Sequence, residues 1–233
     1  MASKQKRRQE SENTRKKKKR KTVSLPEINN TLENFVVIEQ VSTSEKIKTI
    51  WNNLNSDEQL LLTDEFNQMH EDWLYLLRNE LRSAYYLNIK RKLAILQQNK
   101  EILPPRNQLF RCFKNSPKNI SVIIVGQDPY PEGADGLAFS CQNIRPSLKK
   151  VFDLMEWDLK DKDWKRPKTG LLEKWTKNVL LLNSVMTVEK GKSASHKDLG
   201  WQTFTDNVLK LFGNRSEIVT LLWGKYAKEK ADL

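Results

Sequence analysis

The stretch SVIIVGQDPYPEGADGLAFSC, residues 121–141, decides how the rest of the chain is read. Its apolar, β-branched run Val122, Ile123, Ile124 and Val125 stops at Gly126, and polar and turn-forming residues take over at once. That is the pattern of a buried strand that delivers a loop. In an open α/β sheet, ligands bind beyond the carboxyl ends of the strands, so Gln127, Asp128 and Tyr130 are expected at the mouth of a site. Asp128-Pro129 favours a turn, and Gly133 and Gly136 let the backbone bend tightly or approach a ligand. Standing alone, such a stretch is more often a core strand with a solvated loop. The chain on either side overturns that reading.

Two more apolar runs repeat the design. Val179-Leu180-Leu181-Leu182 ends in the polar Asn183, and Ile218 to Trp223 stops at Gly224. Helical spacing of apolar residues predicts a helix over Ser147 to Leu159 and another over Trp201 to Phe212, whose buried side is Trp201, Phe204, Val208, Leu209 and Phe212. Strands joined through helices predict an α/β fold with a central parallel sheet of three strands flanked by helices. Residues 160–169 are charged and contain Pro167, as a surface loop would. No internal repeat is present.

Upstream, Trp51, Leu54, Leu60, Leu61, Phe66, Trp73, Leu74, Leu77 and Leu81 recur at loosely helical spacing, which predicts helices over much of 44–99. Ser56, just before Asp57-Glu58-Gln59, offers a capped start. Aromatics at such spacing are more often core than base-stacking platforms. Pro104-Pro105 breaks the pattern, and a short helix over Leu109 to Phe113 leads towards the first strand.

The chain has 233 residues and a net charge of +12. Residues 1–22 hold eleven Lys or Arg against Glu10 and Glu12, so nine of those twelve net charges belong to this arm. Two basic clusters with no apolar residue to bury describe a disordered arm over 1–31, followed by one α/β domain over 32–233. The clusters read as a nuclear import signal, and the arm favours a polyanionic partner such as DNA. No apolar run approaches the roughly 18 residues of a membrane span, and no apolar segment marks a secretory signal, so a soluble intracellular protein is expected. Two cysteines, Cys112 and Cys141, with only His70 and His196, make neither a disulfide framework nor a zinc site.

Five segments taken in order carry a specific resemblance. GQDPY at 126–130, GLAFS at 136–140, LLLNSVMTV at 180–188, SHKDLGWQTFTD at 195–206 and LLWGKYA at 221–227 resemble the motifs of the uracil-DNA glycosylase family, and ILPPRNQLF at 102–110 resembles its approach to the first strand. The resemblance implies an enzyme that flips deoxyuridine out of single- or double-stranded DNA and hydrolyses its N-glycosidic bond, initiating base-excision repair without a metal or organic cofactor. It assigns Asp128 to positioning or activating water, Asn183 to reading the polar edge of uracil, Phe139 to stacking on the base, Tyr130 to excluding the thymine methyl, and Gln127 to the pocket. It assigns Pro146, Ser147, Ser195, His196, Gly224 and Lys225 to the DNA backbone, although Lys225 stands where many relatives have Ser. A monomer is expected, with a protein inhibitor or replication proteins as further partners.

Two departures accompany the resemblance. Pro131 follows Asp-Pro-Tyr where many relatives have His. Family members also continue past the third strand to a fourth carrying His-Pro-Ser-Pro, an apolar loop that enters the minor groove, and a closing helix. A histidine donor to the leaving uracil is worth about 3–4 kcal/mol. The resemblance therefore leads to the expectation of a C-terminally incomplete glycosylase, weak or inactive in this form, with an open sheet edge. Two alternatives stand beside it: a module that binds DNA or partners with impaired chemistry, and a product without a stable fold.

Overall fold

The computed structural model describes residues 43–159 and 164–231. The basic arm with its import-signal reading, the residues up to 42, and 160–163 of the expected surface loop lie outside the described residues.

The helical region resolves into α1 (Thr43–Asn52), α2 (Ser56–Gln68), α3 (Glu71–Leu76), α4 (Arg78–Leu81) and α5 (Ala84–Gln97). The cap of α2 is Asn55, not Ser56. The Asn55 side chain accepts from the Glu58 N–H at 2.9 Å, and the Glu58 carboxylate accepts from the Asn55 N–H at 2.9 Å. Both 55 and 56 carry capping side chains, and Glu58 lies three positions after Asn55, so this reciprocal box selects Asn55. His70 caps α3, its Nδ1 accepting from the Asp72 N–H at 3.2 Å. The aromatics of this region are largely core: Trp73 and Tyr86 are fully buried, and Trp73 meets Phe113 edge-on at 5.1 Å and Phe212 at 5.8 Å.

The same region buries an ion pair. Glu65 is fully enclosed, accepting from the Tyr86 hydroxyl at 2.6 Å and from Lys90 Nζ at 3.0 Å. Burial pushes the Glu65 carboxyl up, and Lys90 opposes that shift.

After α5 come β1 (Ile102–Leu103), β2 (Val122–Gly126), α6 (Pro146–Leu159), β3 (Val179–Asn183), β4 (Val188–Glu189), α7 (Trp201–Lys210), β5 (Val219–Leu222) and α8 (Lys225–Lys228). The main sheet has the order β3-β2-β5 and both pairings are parallel, as the alternation of strands and helices predicts. Only the central and β3 strands are thoroughly buried. On β5, Val219 is 56% exposed, and among the described residues no strand covers its outer edge. A second, antiparallel pair, β1 with β4, was not expected; two-residue strands are too short to show a period. The segment Leu109 to Phe113 contains a 3₁₀ turn at Arg111–Phe113, and Phe212 lies buried just beyond the end of α7. Cys112 and Cys141 are free and buried, and burial pushes the Cys112 thiol up. Among the described residues no helix is long and apolar enough to cross a membrane.

Candidate active site

The parallel register places Gly126 beside Asn183 at the carboxyl ends of β2 and β3. The chain stays zipped beyond the strands: the Ser184 N–H donates to the Gly126 carbonyl and the Val185 N–H to the Gln127 carbonyl, each at 2.9 Å. These bonds hold two loop starts side by side and open a cavity of about 290 Å³ between them. Gln127, Asp128, Tyr130, Phe139 and Asn183 all line it, together with Ser147, Ser193 and Trp223.

Asp128 is held from the opposite wall. Its Oδ2 accepts from the Ala194 N–H at 2.8 Å and lies 3.5 Å from the Ser193 hydroxyl. Ala194 makes this bond at φ +57, a left-handed conformation that alanine adopts only when the surroundings enforce it. The surroundings here are a network at the base of its loop. Ser195 Oγ accepts from the Glu189 N–H at 2.8 Å, and His196 Nδ1 lies 2.8 Å from the Thr187 hydroxyl, which also accepts from Trp201 Nε1 at 2.7 Å.

This network changes the assignment of His196. Its side chain is only 3% exposed, and its burial pulls the imidazole pKa down, favouring the neutral ring. A ring so enclosed does not fit a direct phosphate contact; its visible role is to support the 192–196 loop. Ser195 is exposed, and its oxygen already serves Glu189.

Phe139 sits on a rigid mount. Asp135 accepts from Ser140 Oγ at 2.6 Å, from Arg111 at 2.9 Å and from the Leu137 N–H at 3.3 Å. Gly136, at φ +87, passes so close to Gln108 that a Cβ would stand 1.9 Å from its carbonyl oxygen, which only glycine tolerates. Phe139 itself has φ +64, and its ring meets Trp223 edge-on at 5.3 Å. The Tyr130 hydroxyl lies 2.6 Å from Ser147 Oγ, and burial raises its phenol pKa. Pro146 and Ser147 are exposed at the start of α6. Gly224, with φ +94, turns the chain from β5 into α8, whose first residue is Lys225.

Three lining or supporting residues were missed by sequence reading. Trp223 stands just past the end of β5, the same place in its strand that marked Gln127, so the rule that selected strand ends could have found it. Ser193 and Ala194 carry no chemical signal of their own. Among the described residues no group of three or more His, Cys, Asp or Glu is gathered as metal ligands would be.

The fold and cavity define an α/β protein with a strand-end pocket that offers a carboxylate, an amide and aromatic walls. The sequence profile described as the Uracil DNA glycosylase superfamily matches residues 113–232. A uracil-DNA glycosylase of Campylobacter jejuni (strain 81116) is 42% identical over 182 residues, covering 74% of this chain and 78% of that protein. One from Clostridium perfringens (strain 13) is 40% identical over 177 residues, covering 72% and 76%. The crystal structure of mimivirus uracil-DNA glycosylase is similar with a TM-score of 0.65 at 24% identity, covering 82% of this chain and 70% of that one. A mimivirus UNG variant in complex with UGI gives the same TM-score at 24% identity, covering 77% and 72%. The chain belongs to the uracil-DNA glycosylase superfamily, a family of hydrolytic glycosylases.

Proposed function

We propose that this chain releases uracil from DNA and so initiates base-excision repair, with Asp128 as the catalytic carboxylate. The observation that carries the proposal is the opening of Asp128, Asn183 and Phe139 into one cavity at the ends of β2 and β3. In the proposed reaction the bond between the sugar C1′ and uracil N1 breaks, and its electron pair leaves with the base. Positive charge develops on the sugar, which the Asp128 carboxylate stabilises while it orients a water. The water oxygen bonds to C1′ and its proton passes to Asp128 or to solvent, while the departing uracil anion takes up a proton from solvent, leaving uracil and an abasic sugar.

Asn183 would read the base, because an oriented amide matches the donor and acceptor edge of uracil and mismatches the reversed pattern of cytosine. Phe139 would stack on the flipped ring, and Tyr130 would close the space that a thymine methyl needs. The described lining holds no histidine, so the leaving base would be met by amide and backbone donors.

The exposed Pro146-Ser147 and Ser195, with Gly224-Lys225, would follow the DNA backbone, and the basic residues 1–22 would add salt-sensitive attraction. The bacterial relatives lend the import-signal reading no support. Because a mimivirus variant was crystallised with UGI, that protein is a direct candidate inhibitor to test.

The test is a gel assay of the full chain on single-stranded and duplex oligonucleotides carrying one uracil. Uracil release lost on Asp128→Asn supports the proposal; tight binding without release in the wild type supports a DNA-holding module instead.

A further inference from the structure

Gly126 ends β2 as the register partner of Asn183, and its φ lies outside the left-handed region that favours glycine. Backbone conformation therefore does not require glycine there. Space does: a Cβ at 126 would stand 2.2 Å from Asn183 Oδ1, 3.3 Å from Asn183 Cγ and 3.0 Å from Ala138 Cβ. The closest of these atoms is the far end of a side chain, so it is the Asn183 amide that an added methyl would displace. Meanwhile the amide makes no hydrogen bond among the described residues, although Asn183 is only 9% exposed and faces the cavity. Its oxygen rests against the bare end of β2, and its polar capacity is left for a ligand.

We infer that Gly126 is a specificity-determining position: its missing side chain seats the Asn183 amide in the orientation that distinguishes uracil from cytosine. This rests on the base-reading role proposed for Asn183. Gly126 acts through Asn183 and is a positioning residue, not a catalytic one. Moving the amide by the width of a methyl would cost the hydrogen bonds to uracil, while cytosine, already mismatched, would lose little. The strand-end bonds from Ser184 and Val185 use backbone atoms and would survive the substitution.

The test uses the full chain labelled with nitrogen-15. The Asn183 side-chain amide signals are identified by their disappearance in Asn183→Ala, and free uracil and free cytosine are the probes. In the wild type, uracil should move these signals and cytosine should not. In Gly126→Ala the signals should be displaced before any ligand is added, and uracil affinity should fall about tenfold, the worth of one such hydrogen bond. In the Asn183→Ala background, Gly126→Ala should weaken uracil no further. Should Gly126→Ala fail to fold, the double variant removes the 2.2 Å contact with Asn183, leaves only Ala138 Cβ at 3.0 Å, and should recover the fold; a double variant that stays unfolded overturns the inference.

An unmoved Asn183 amide in Gly126→Ala, or equal weakening in both backgrounds, also overturns it while the base-reading role stands. A wild-type Asn183 amide that ignores uracil overturns the base-reading role itself, and the specificity inference with it.

Discussion

Asp128 and Ala194 belong to loops 66 residues apart, and they meet through one hydrogen bond of 2.8 Å from the alanine N–H to the carboxylate. The bond exists because Ala194 is held at φ +57. A β-branched residue tolerates that conformation poorly, whereas glycine adopts it freely. Ala194→Val should lose about 1–3 kcal/mol of stability in urea denaturation, and Ala194→Gly should stay within about 1 kcal/mol of wild type. Uracil release should fall in the valine variant, whose Asp128 loses its fixed donor.

Thr187 joins two buried groups, His196 and Trp201, at 2.8 and 2.7 Å. Thr187→Val keeps the shape of the side chain but strands both partners in a dry interior. Each unsatisfied group costs about 1–3 kcal/mol, so the variant should lose about 2–4 kcal/mol, read from its denaturation midpoint.

The same histidine gives a pH signature. Burial holds the His196 pKa below its ordinary 6.5, so the unfolded chain takes a proton that the folded chain refuses. Stability from the neutral ring is fully present above about pH 6.5 and is lost as pH falls from there towards the folded pKa. Glu65, whose pKa is raised, works in the opposite sense, gaining protons more readily when folded. Comparing wild type with His196→Gln isolates the histidine: the drop in urea midpoint between pH 7.5 and 5.5 should be smaller in the variant.

Lys90 is the cation of the buried pair, with Nζ 2.9 Å from Glu65 Oε1 and 3.7 Å from Asp64. Removing it leaves a carboxyl without compensation. Lys90→Met should cost about 3–5 kcal/mol, and adding Glu65→Gln should restore part of that loss, measured by a double-mutant cycle.

What could be read from the sequence follows from which physical signals are local. The runs Val122–Val125 and Val179–Leu182 state their burial directly, and the parallel sheet follows from the helices between them. Strand-end logic points to Gln127, Asp128 and Tyr130, and the family resemblance adds Asn183 and Phe139; all five line one cavity. The α2 cap was misplaced by one residue because Asn55 and Ser56 both qualify until Glu58 is counted. Ala194 could not have been foreseen, since a positive φ at alanine is imposed by tertiary contacts and leaves no mark in the sequence. His196 is assigned to the DNA backbone through the family's Ser-His segment, whereas the Thr187-Trp201 network that encloses its ring is assembled from distant positions that no local pattern marks. Gly126 looked like a simple strand stop, and only the position of Asn183 Oδ1 reveals what its bare backbone accommodates.

The most direct test is the rate of uracil release from a single-uracil oligonucleotide by the wild-type chain and by Asp128→Asn, each first shown to be folded. Release by the wild type, reduced about a hundredfold or more in the variant, is the predicted result. Equal rates for the two proteins, or no release by the folded wild type, would contradict the assignment of Asp128 as the catalytic carboxylate of a working glycosylase.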